Sequence, residues 1–466
     1  ASSGVAAPPL TGARRDYASY HYAWDFGDGA AGTWANSGQP KNQAVGFVAT
    51  HIFETPGNFQ VRLDVTDNTG TMRTYQQTIA VQDPEVVFAN TSASTAERTI
   101  YVSASGNDAN NGSLNAPVAT WSRAKTLLFA SNGPRRVLLR RGDSFSHAGS
   151  GTVTGRVGPF QIGAFGSGAN PTINSSASTN EILTLDSTAT DVRIMDVDMF
   201  SDLTGNGIRP GTDTLVLRCR LTRFSNGIST SSAFGVRQGV VIADSTIEGS
   251  DGYGIYFNFG YRDAFLGNLI QDVNREHLMR CYITHSMIQH NIFRGGHTAK
   301  TQLKFVGYFP TGHPDREPGT PTEALEFSII SDNTFERSGP IAWMITLGPV
   351  DEAKDQRSQD LVFERNIMRA DPSTQVMLYS NNSYNTVRNN VFDGTLRPGV
   401  NAVRVTQRGV EPPPTGYSVL NNTCYSAASS GGMTCVQVDS MANQTTVRNN
   451  FAAVASSGLL IGNGGS

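Results

Sequence analysis

Ile288-Gln289-His290-Asn291-Ile292-Phe293 is a short β run broken by one asparagine, and the chain repeats it as Ile330-Ser331-Asp332-Asn333-Thr334-Phe335 and Val387-Arg388-Asn389-Asn390-Val391-Phe392. Val419-Leu420-Asn421-Asn422-Thr423-Cys424 and Val447-Arg448-Asn449-Asn450-Phe451 continue the series. Aligning the turn position gives Arg220, Ser245, Asn268, Asn291, Asn333, Asn366, Asn390, Asn422 and Asn450. The shortest steps are 23 residues, as from Asn268 to Asn291, and the longest is the 42 between Asn291 and Asn333. A basal unit of that size with added loops is a solenoid coil. Stacked coils set the asparagines one above another, where each amide can donate to the next. The leucine-rich repeat and the propeller fit less well, because neither the Leu-rich signature nor four long strands per unit is present. The expected fold is all-β, with a right-handed parallel β-helix over 98–466, and coils stacked about 4.8 Å apart make a rod on the order of 45 Å.

Outward from the repeat, Trp121 to Ala130 reads as a short helix capping the open end of the rod, where bare core would otherwise face water. Residues 83–97, rich in Ser, Thr and Ala, read as a linker. Residues 1–82 show the alternation of a small antiparallel β-sandwich, as in Phe59, Val61, Leu63 and Val65. Within it stand Trp24-Asp25-Phe26-Gly27-Asp28-Gly29, His51-Ile52-Phe53, Pro56-Gly57-Asn58-Phe59 and Asp64-Val65-Thr66-Asp67-Asn68-Thr69-Gly70. This segment resembles a PKD-type domain. The resemblance implies a spacer or contact module in secreted bacterial proteins, without catalysis.

The bulk numbers narrow the partners. Of 466 residues 16% are charged, the net charge is −3, and no cluster of like charge runs for five residues, which removes the electrostatic footprint of a nucleic-acid binder. No apolar run is long enough to span a membrane. The start, Ala1 to Leu10, lacks the basic opening and apolar core of a signal peptide, so none is expected within this chain. Of four cysteines, Cys424 and Cys435 are close enough to bridge neighbouring strands, though four buried thiols fit as well.

Extra residues in a solenoid fall outside the stack and build binding faces. The 42-residue step carries one such insertion, Gly307 to Pro321, and a second lies around Gly348 to Gln359. Just before the first, five of the eight histidines fall between His277 and His313, and Lys300 and Lys304 stand four apart. Leu303 and Phe305 should face inward, turning Lys300, Gln302 and Lys304 to solvent; Ile255 and Phe257 likewise turn Tyr256 and Asn258 out. Steps of 24 lead from Tyr256 to Arg280 and from Arg280 to Lys304, so the three are expected in one outward column, with Glu276 and Lys300 in a neighbouring one. Such a column also reads as a merely solvated face. As a site it suits an anionic sugar polymer, with Lys300, Glu276, His277, His297 and Asn258 as substrate contacts.

The segment 98–466 resembles the pectate-lyase-like superfamily, and within it polysaccharide lyases of the alginate lyase and chondroitinase B type. The resemblance implies β-elimination on a uronate polymer, with a Lys base and an Arg on successive coils. Here that makes Lys304 the base if Arg280 and Lys300 depress its pKa, Arg280 the carboxylate neutraliser and Tyr256 the proton donor to the leaving oxygen. The order Arg280 then Lys304 is the reverse of the family's. Calcium at the substrate carboxylate belongs to the resemblance too, but no acidic cage is legible and the histidine spacings match no metal-ligand motif, so no metal ligand is assigned. A glycoside hydrolase using carboxylates such as Asp351, Glu352, Glu276 or Asp263 is the alternative enzyme. A glycan-binding adhesin or tailspike-like rod is the non-catalytic one. A secreted, monomeric protein acting on an extended polysaccharide is expected.

Overall fold

The computed structural model describes residues 16–90, 97–147, 149, 151–175, 181–230, 235–297, 299–307, 327–336, 343–348, 359–407, 413–427, 432–455 and 459–464. The N-terminal unit contributes a four-stranded antiparallel sheet of β1 (His21–Asp25), β2 (Gln43–Val45), β3 (Gly57–Thr66) and β4 (Met72–Val81), in the order β2-β1-β3-β4. Its turns follow from their residues. Asp25 accepts the Gly27 N–H at 2.9 Å, and Gly27 holds φ +68° where a Cβ would lie 2.5 Å from the Gln60 carbonyl oxygen, so the reversal after β1 requires glycine. Asp67 caps the β3–β4 turn by accepting the N–H groups of Thr69 and Thr71. The segment after β4 begins with α1 (Pro84–Val87), whose Glu85 grips Arg136 with both oxygens at 2.6 Å.

From Thr99 onward nearly all strands are parallel, running through three long sheets. The first has 13 strands, from Thr99–Val102 to Thr446–Arg448; the second has 12, from Ser144–His147 to Phe451–Val454; the third has a 12-strand path from Thr152–Val153 to Leu459–Gly464, with Arg237–Gln238 paired beside it. Each coil gives one strand to each sheet, which is a parallel β-helix, right-handed as parallel crossovers are. Inward residues stack into one core, as in the series Ile194, Val216, Ile242, Phe265, Ile288, Ile330 and Phe363. The rings of Phe293 and Phe335 lie 4.7 Å apart and nearly parallel, one coil height. The cap helix α2 (Trp121–Leu128) covers the open end with Trp121, Ala124 and Leu128, and Thr120 caps its N-terminus.

The asparagine ladder forms between the first and second sheets. Each Oδ1 accepts both the N–H and the Nδ2 of the asparagine one coil earlier, at 2.9 to 3.1 Å, unbroken from Asn268 through Asn291, Asn333, Asn366, Asn390 and Asn422 to Asn450. Its start is corrected by one residue. Arg220 pairs with Thr246, so Cys219 occupies the turn position and its N–H donates to the Ser245 Oγ at 3.1 Å. Cys424 and Cys435 are disulfide-bonded with Cα atoms 5.6 Å apart, whereas Cys219 and Cys281 are buried thiols.

The N-terminal unit lies against the outer face of the first sheet. Trp34, 3% exposed, joins Leu217, Val241, Ala243, Ala264, Leu266, Met287, Ile329 and Val362 in a second apolar cluster, with Phe47, Val48 and Ile52 packed on it.

Candidate functional site

The site is built on the outer face of the third sheet, on strands Ile255–Tyr261, Met279–Thr284 and Leu303–Phe305. Ile255, Phe257, Met279, Cys281, Leu303 and Phe305 are buried in the core, which turns the residues between them outward. Tyr256 pairs with Arg280 and Arg280 with Lys304, so the 24-residue steps are the true register. The column continues to Thr346, Tyr379, Arg404 and Gln437.

Arg280 is the centre of this face. Its Nη1 donates to the Tyr253 hydroxyl at 3.2 Å and its Nη2 to the Tyr282 hydroxyl, while its guanidinium carbon lies 5.6 Å from the Tyr256 ring centre and 5.4 Å from that of Tyr282. Tyr253 stacks on Tyr256 at 4.7 Å. Burial works against the charge of Arg280, yet the hydroxyls of Tyr282 and Tyr253 outweigh it and hold the guanidinium above its ordinary pKa. Burial in turn raises Tyr253 and pushes Tyr282 up to about 12, so both stay protonated as donors at neutral pH. Four other partly buried arginines of the rod meet carboxylates, Arg218 with Asp196, Arg365 with Asp332, Arg388 with Glu364 and Arg404 with Asp439, while the buried Arg237 donates to the carbonyls of Pro210 and Gly235. Among the described residues Arg280 has no carboxylate partner, and its Nε is buried without a hydrogen bond.

His277 is buried beside this cage. Its Nδ1 lies 2.9 Å from the Thr301 carbonyl oxygen and hydroxyl and 3.0 Å from the Thr301 N–H, which leaves Nε2 as the nitrogen for other contacts. Burial, then the charge of Lys304, with Arg280 and Lys300 adding to it, pushes its pKa down to about 3. His277 is therefore neutral, and its shift registers a concentration of positive charge on this face.

The remaining expected contacts divide. Lys300 and Glu276 form an ion pair at 2.9 Å. His297 lies in the turn leading to Lys300, its Nδ1 accepting the Ala299 N–H at 3.1 Å. Asn258 falls where the strand shifts register between Phe257 and Gly260, its N–H donating to Thr230 Oγ1, so strict alternation from Tyr256 ends there. Gln302 does not face solvent. It is fully buried and its Nε2 donates to the carbonyls of Phe293 and Gly295 on its own coil and of Glu336 on the next, satisfying main-chain groups where strands of the second sheet end. Asp263 is also buried, its N–H donating to the Ser286 Oγ and its Oδ1 accepting the Val240 N–H. The insertions 308–321 and 349–358, with Asp351 and Glu352, lie outside the described residues. Among the described residues no three His, Cys, Asp or Glu side chains gather as metal ligands. Column spacing alone did not reach Tyr253 and Tyr282. Their signal was the aromatic pairing Tyr253-Gly254-Ile255-Tyr256 and Arg280-Cys281-Tyr282, two tyrosines within three residues of column members.

Residues 11–82 match the family model of the PKD domain. The N-terminal unit is a PKD domain. No curated protein sequence matches the chain. Among solved structures, the A-module of mannuronan C-5 epimerase AlgE4 from Azotobacter vinelandii is similar at 11% identity and TM-score 0.50, over 74% of this chain and 94% of that one. The tailspike protein of E. coli bacteriophage HK620 aligns at 10% identity and TM-score 0.47, over 74% and 65%, and the family 28 exopolygalacturonase of Yersinia enterocolitica at 9% and 0.41, over 91% and 85%. At these identities the likeness is one of fold. The PKD domain therefore precedes a β-helix whose chemistry must be argued from its own side chains.

Proposed function

We propose that the protein is a secreted polysaccharide lyase that cleaves an anionic, uronate-containing polymer by β-elimination along the third sheet. The observation that carries the reading is Arg280, a half-buried guanidinium with a buried Nε, held by tyrosine hydroxyls and lacking a carboxylate partner among the described residues. A buried charge without a counter-ion is costly, and a planar carboxylate answers the guanidinium fork with two parallel hydrogen bonds. Bound there, a uronate carboxylate is neutralised and the hydrogen on the carbon beside it becomes acidic. Lys304, one coil on, takes that proton; the electron pair forms the new C=C bond as the 4-linked C–O bond breaks; Tyr256, one coil back, gives its proton to the departing oxygen. Neutral His277 and the protonated Tyr253 and Tyr282 supply hydrogen bonds without adding negative charge.

Hydrolysis fits this face less well. It needs two carboxyl groups about 5 to 9.5 Å apart, and the column from Tyr256 through Arg280, Lys304, Thr346, Tyr379 and Arg404 to Gln437 contains none. The Cys424–Cys435 disulfide and the PKD domain support an extracellular setting.

The test is incubation with a panel of acidic and neutral polysaccharides, followed by ultraviolet absorbance and product mass. Unsaturated uronate ends are expected, and Arg280→Ala and Lys304→Ala are each expected to abolish them with circular dichroism unchanged. Saturated reducing ends would make the protein a hydrolase, binding without turnover would make it an adhesin, and full activity in both variants would remove the assigned roles.

A further inference from the structure

The outward positions of the first sheet carry an unusual sequence. One column runs Leu215, Val241, Ala264, Met287, Ile329 and Val362 over six successive coils, and its neighbour begins Leu217, Ala243 and Leu266. On either side of this stretch the same column turns polar, with Gln161 and Arg193 before it and Thr386, Ser418 and Thr446 after it. Five strand spacings make the apolar stretch about 24 Å long, far more continuous apolar surface than a soluble face ordinarily shows. It is also the stretch under the PKD domain.

The contact is specific on both sides. Trp34 sits against Gly267, where a Cβ would come within 2.5 Å of its ring, so the position just before the ladder, which holds Asp244 or His290 on other coils, is glycine here. Asn36 donates to the carbonyls of Gly267 and Ser245, and Ala35 donates to Asp244 Oδ1 at 2.7 Å. Lys41 joins Asp244 at 3.3 Å and Glu54 at 2.8 Å, and Glu54 reaches Arg218. Lys41 and Asp244 are both under 9% exposed. At the far edge the Tyr17 hydroxyl donates to the Asp360 carbonyl at 3.0 Å, and its ring meets Phe327, which meets His285.

We propose that the PKD domain is a non-dissociating cover of the first sheet rather than a spacer on a tether. Its removal would bare a six-coil apolar stripe and a buried ion pair together, so the two units form one cooperative block, and the first sheet is closed to any substrate or partner. The experiment is a specific protease site inserted between the exposed residues Gln82 and Asp83, which leaves α1 with the β-helix. After cleavage the two fragments are expected to elute together from a sizing column at micromolar concentration and to part only in denaturant. Trp34→Asp in the same background is expected to weaken their association roughly a hundredfold, as loss of a central aromatic anchor does. Separation of the cut native fragments without denaturant would overturn the proposal. If they stay together but Trp34→Asp leaves their affinity unchanged, the assigned surface is wrong. If Trp34→Asp fails to accumulate, the cut native protein decides alone.

Discussion

Arg280 and its tyrosines are where the chemistry rests, and the details of that cage determine what a substitution there does. Arg280→Lys keeps a charge but loses the planar fork and both tyrosine hydrogen bonds. If the cage exists to present that fork to a carboxylate, turnover of the acidic polymer falls roughly a hundredfold, equivalent to about 3 kcal/mol of lost charge-assisted bonding. Tyr282→Phe, which leaves the ring and removes one hydroxyl, is expected to cost less, about tenfold, and to act on kcat more than on KM; steady-state kinetics on the same polymer read both. Unchanged kinetics in Tyr282→Phe would mean the ring, not the hydroxyl, holds the guanidinium. Tyr256, Arg280 and Lys304 were legible because a solenoid converts equal sequence steps into vertical neighbours. Tyr253 was not, because it precedes its strand and reaches Arg280 sideways from a turn. Gln302 was misread because alternation says which way a residue points, not whether turn carbonyls wait there for its amide.

The asparagine ladder is the element that makes coils of unequal length stack in one register. The residue before each ladder position adopts a left-handed conformation, as at His290, Asp332, Arg365, Asn389 and Asn421, with φ between +53° and +61°. The turn is therefore strained at one residue and repaired at the next, where the amide satisfies main-chain groups of its own coil and its neighbour's. Asn366 accepts from the N–H and Nδ2 of Asn333 and donates to Asn390 Oδ1 and the Ile330 carbonyl. Asn366→Leu takes these partners from the Asn333 N–H and the Ile330 carbonyl in a buried site, while Asn390 Oδ1 keeps the residue 366 N–H and Asn333 Nδ2 keeps the Ile288 carbonyl; at about 1 to 3 kcal/mol for each group left unmet, a net loss of about 3 to 5 kcal/mol is expected by urea unfolding. Asn450→Leu, at the partly exposed end where water can substitute, is expected to cost under about 1 kcal/mol. Similar losses at both positions would mean that the amides do not act as a buried ladder. The repeat made this element legible from Ser245 onward. Its first rung was not, since a cysteine there satisfies the spacing without the amide. A second ladder, Asp263, Ser286 and Ser328, joined by N–H to side-chain bonds at 2.9 and 3.2 Å, escaped notice because it mixes aspartate with serine and carries no asparagine signature.

For the whole molecule, the two units were readable from their motifs but their union was not, because the stripe from Leu215 to Val362 reads as core until register assigns it to the outside. That union sets how the protein should respond to acid. His51 in the PKD domain and His147, His277 and His290 in the β-helix all have pKa values lowered by burial, His277 to about 3 and His290 to about 4. The unfolded chain binds their protons near pH 6.5 while the folded chain refuses them, so their contribution to stability is complete above about 6.5 and lost as pH falls toward 4 and below. Asp263 works in the opposite sense: burial holds its carboxyl well above the usual range, so the folded state gives up stability as pH rises past the unfolded value. Four histidines against the raised carboxyls of Asp263 and Asp213 give a net fall in stability on acidification, at up to about 1.4 kcal/mol per pH unit for each histidine still neutral in the fold and protonated outside it. Urea midpoints measured from pH 7.5 to 4.5 should therefore hold to about pH 6.5 and then drop, and His277→Gln should flatten the drop. Because His51 and His277 lie in different units of one block, the signals of the PKD domain and the β-helix should fall together at every pH. Two separate transitions, each with its own pH dependence, would show that the units carry their histidines independently.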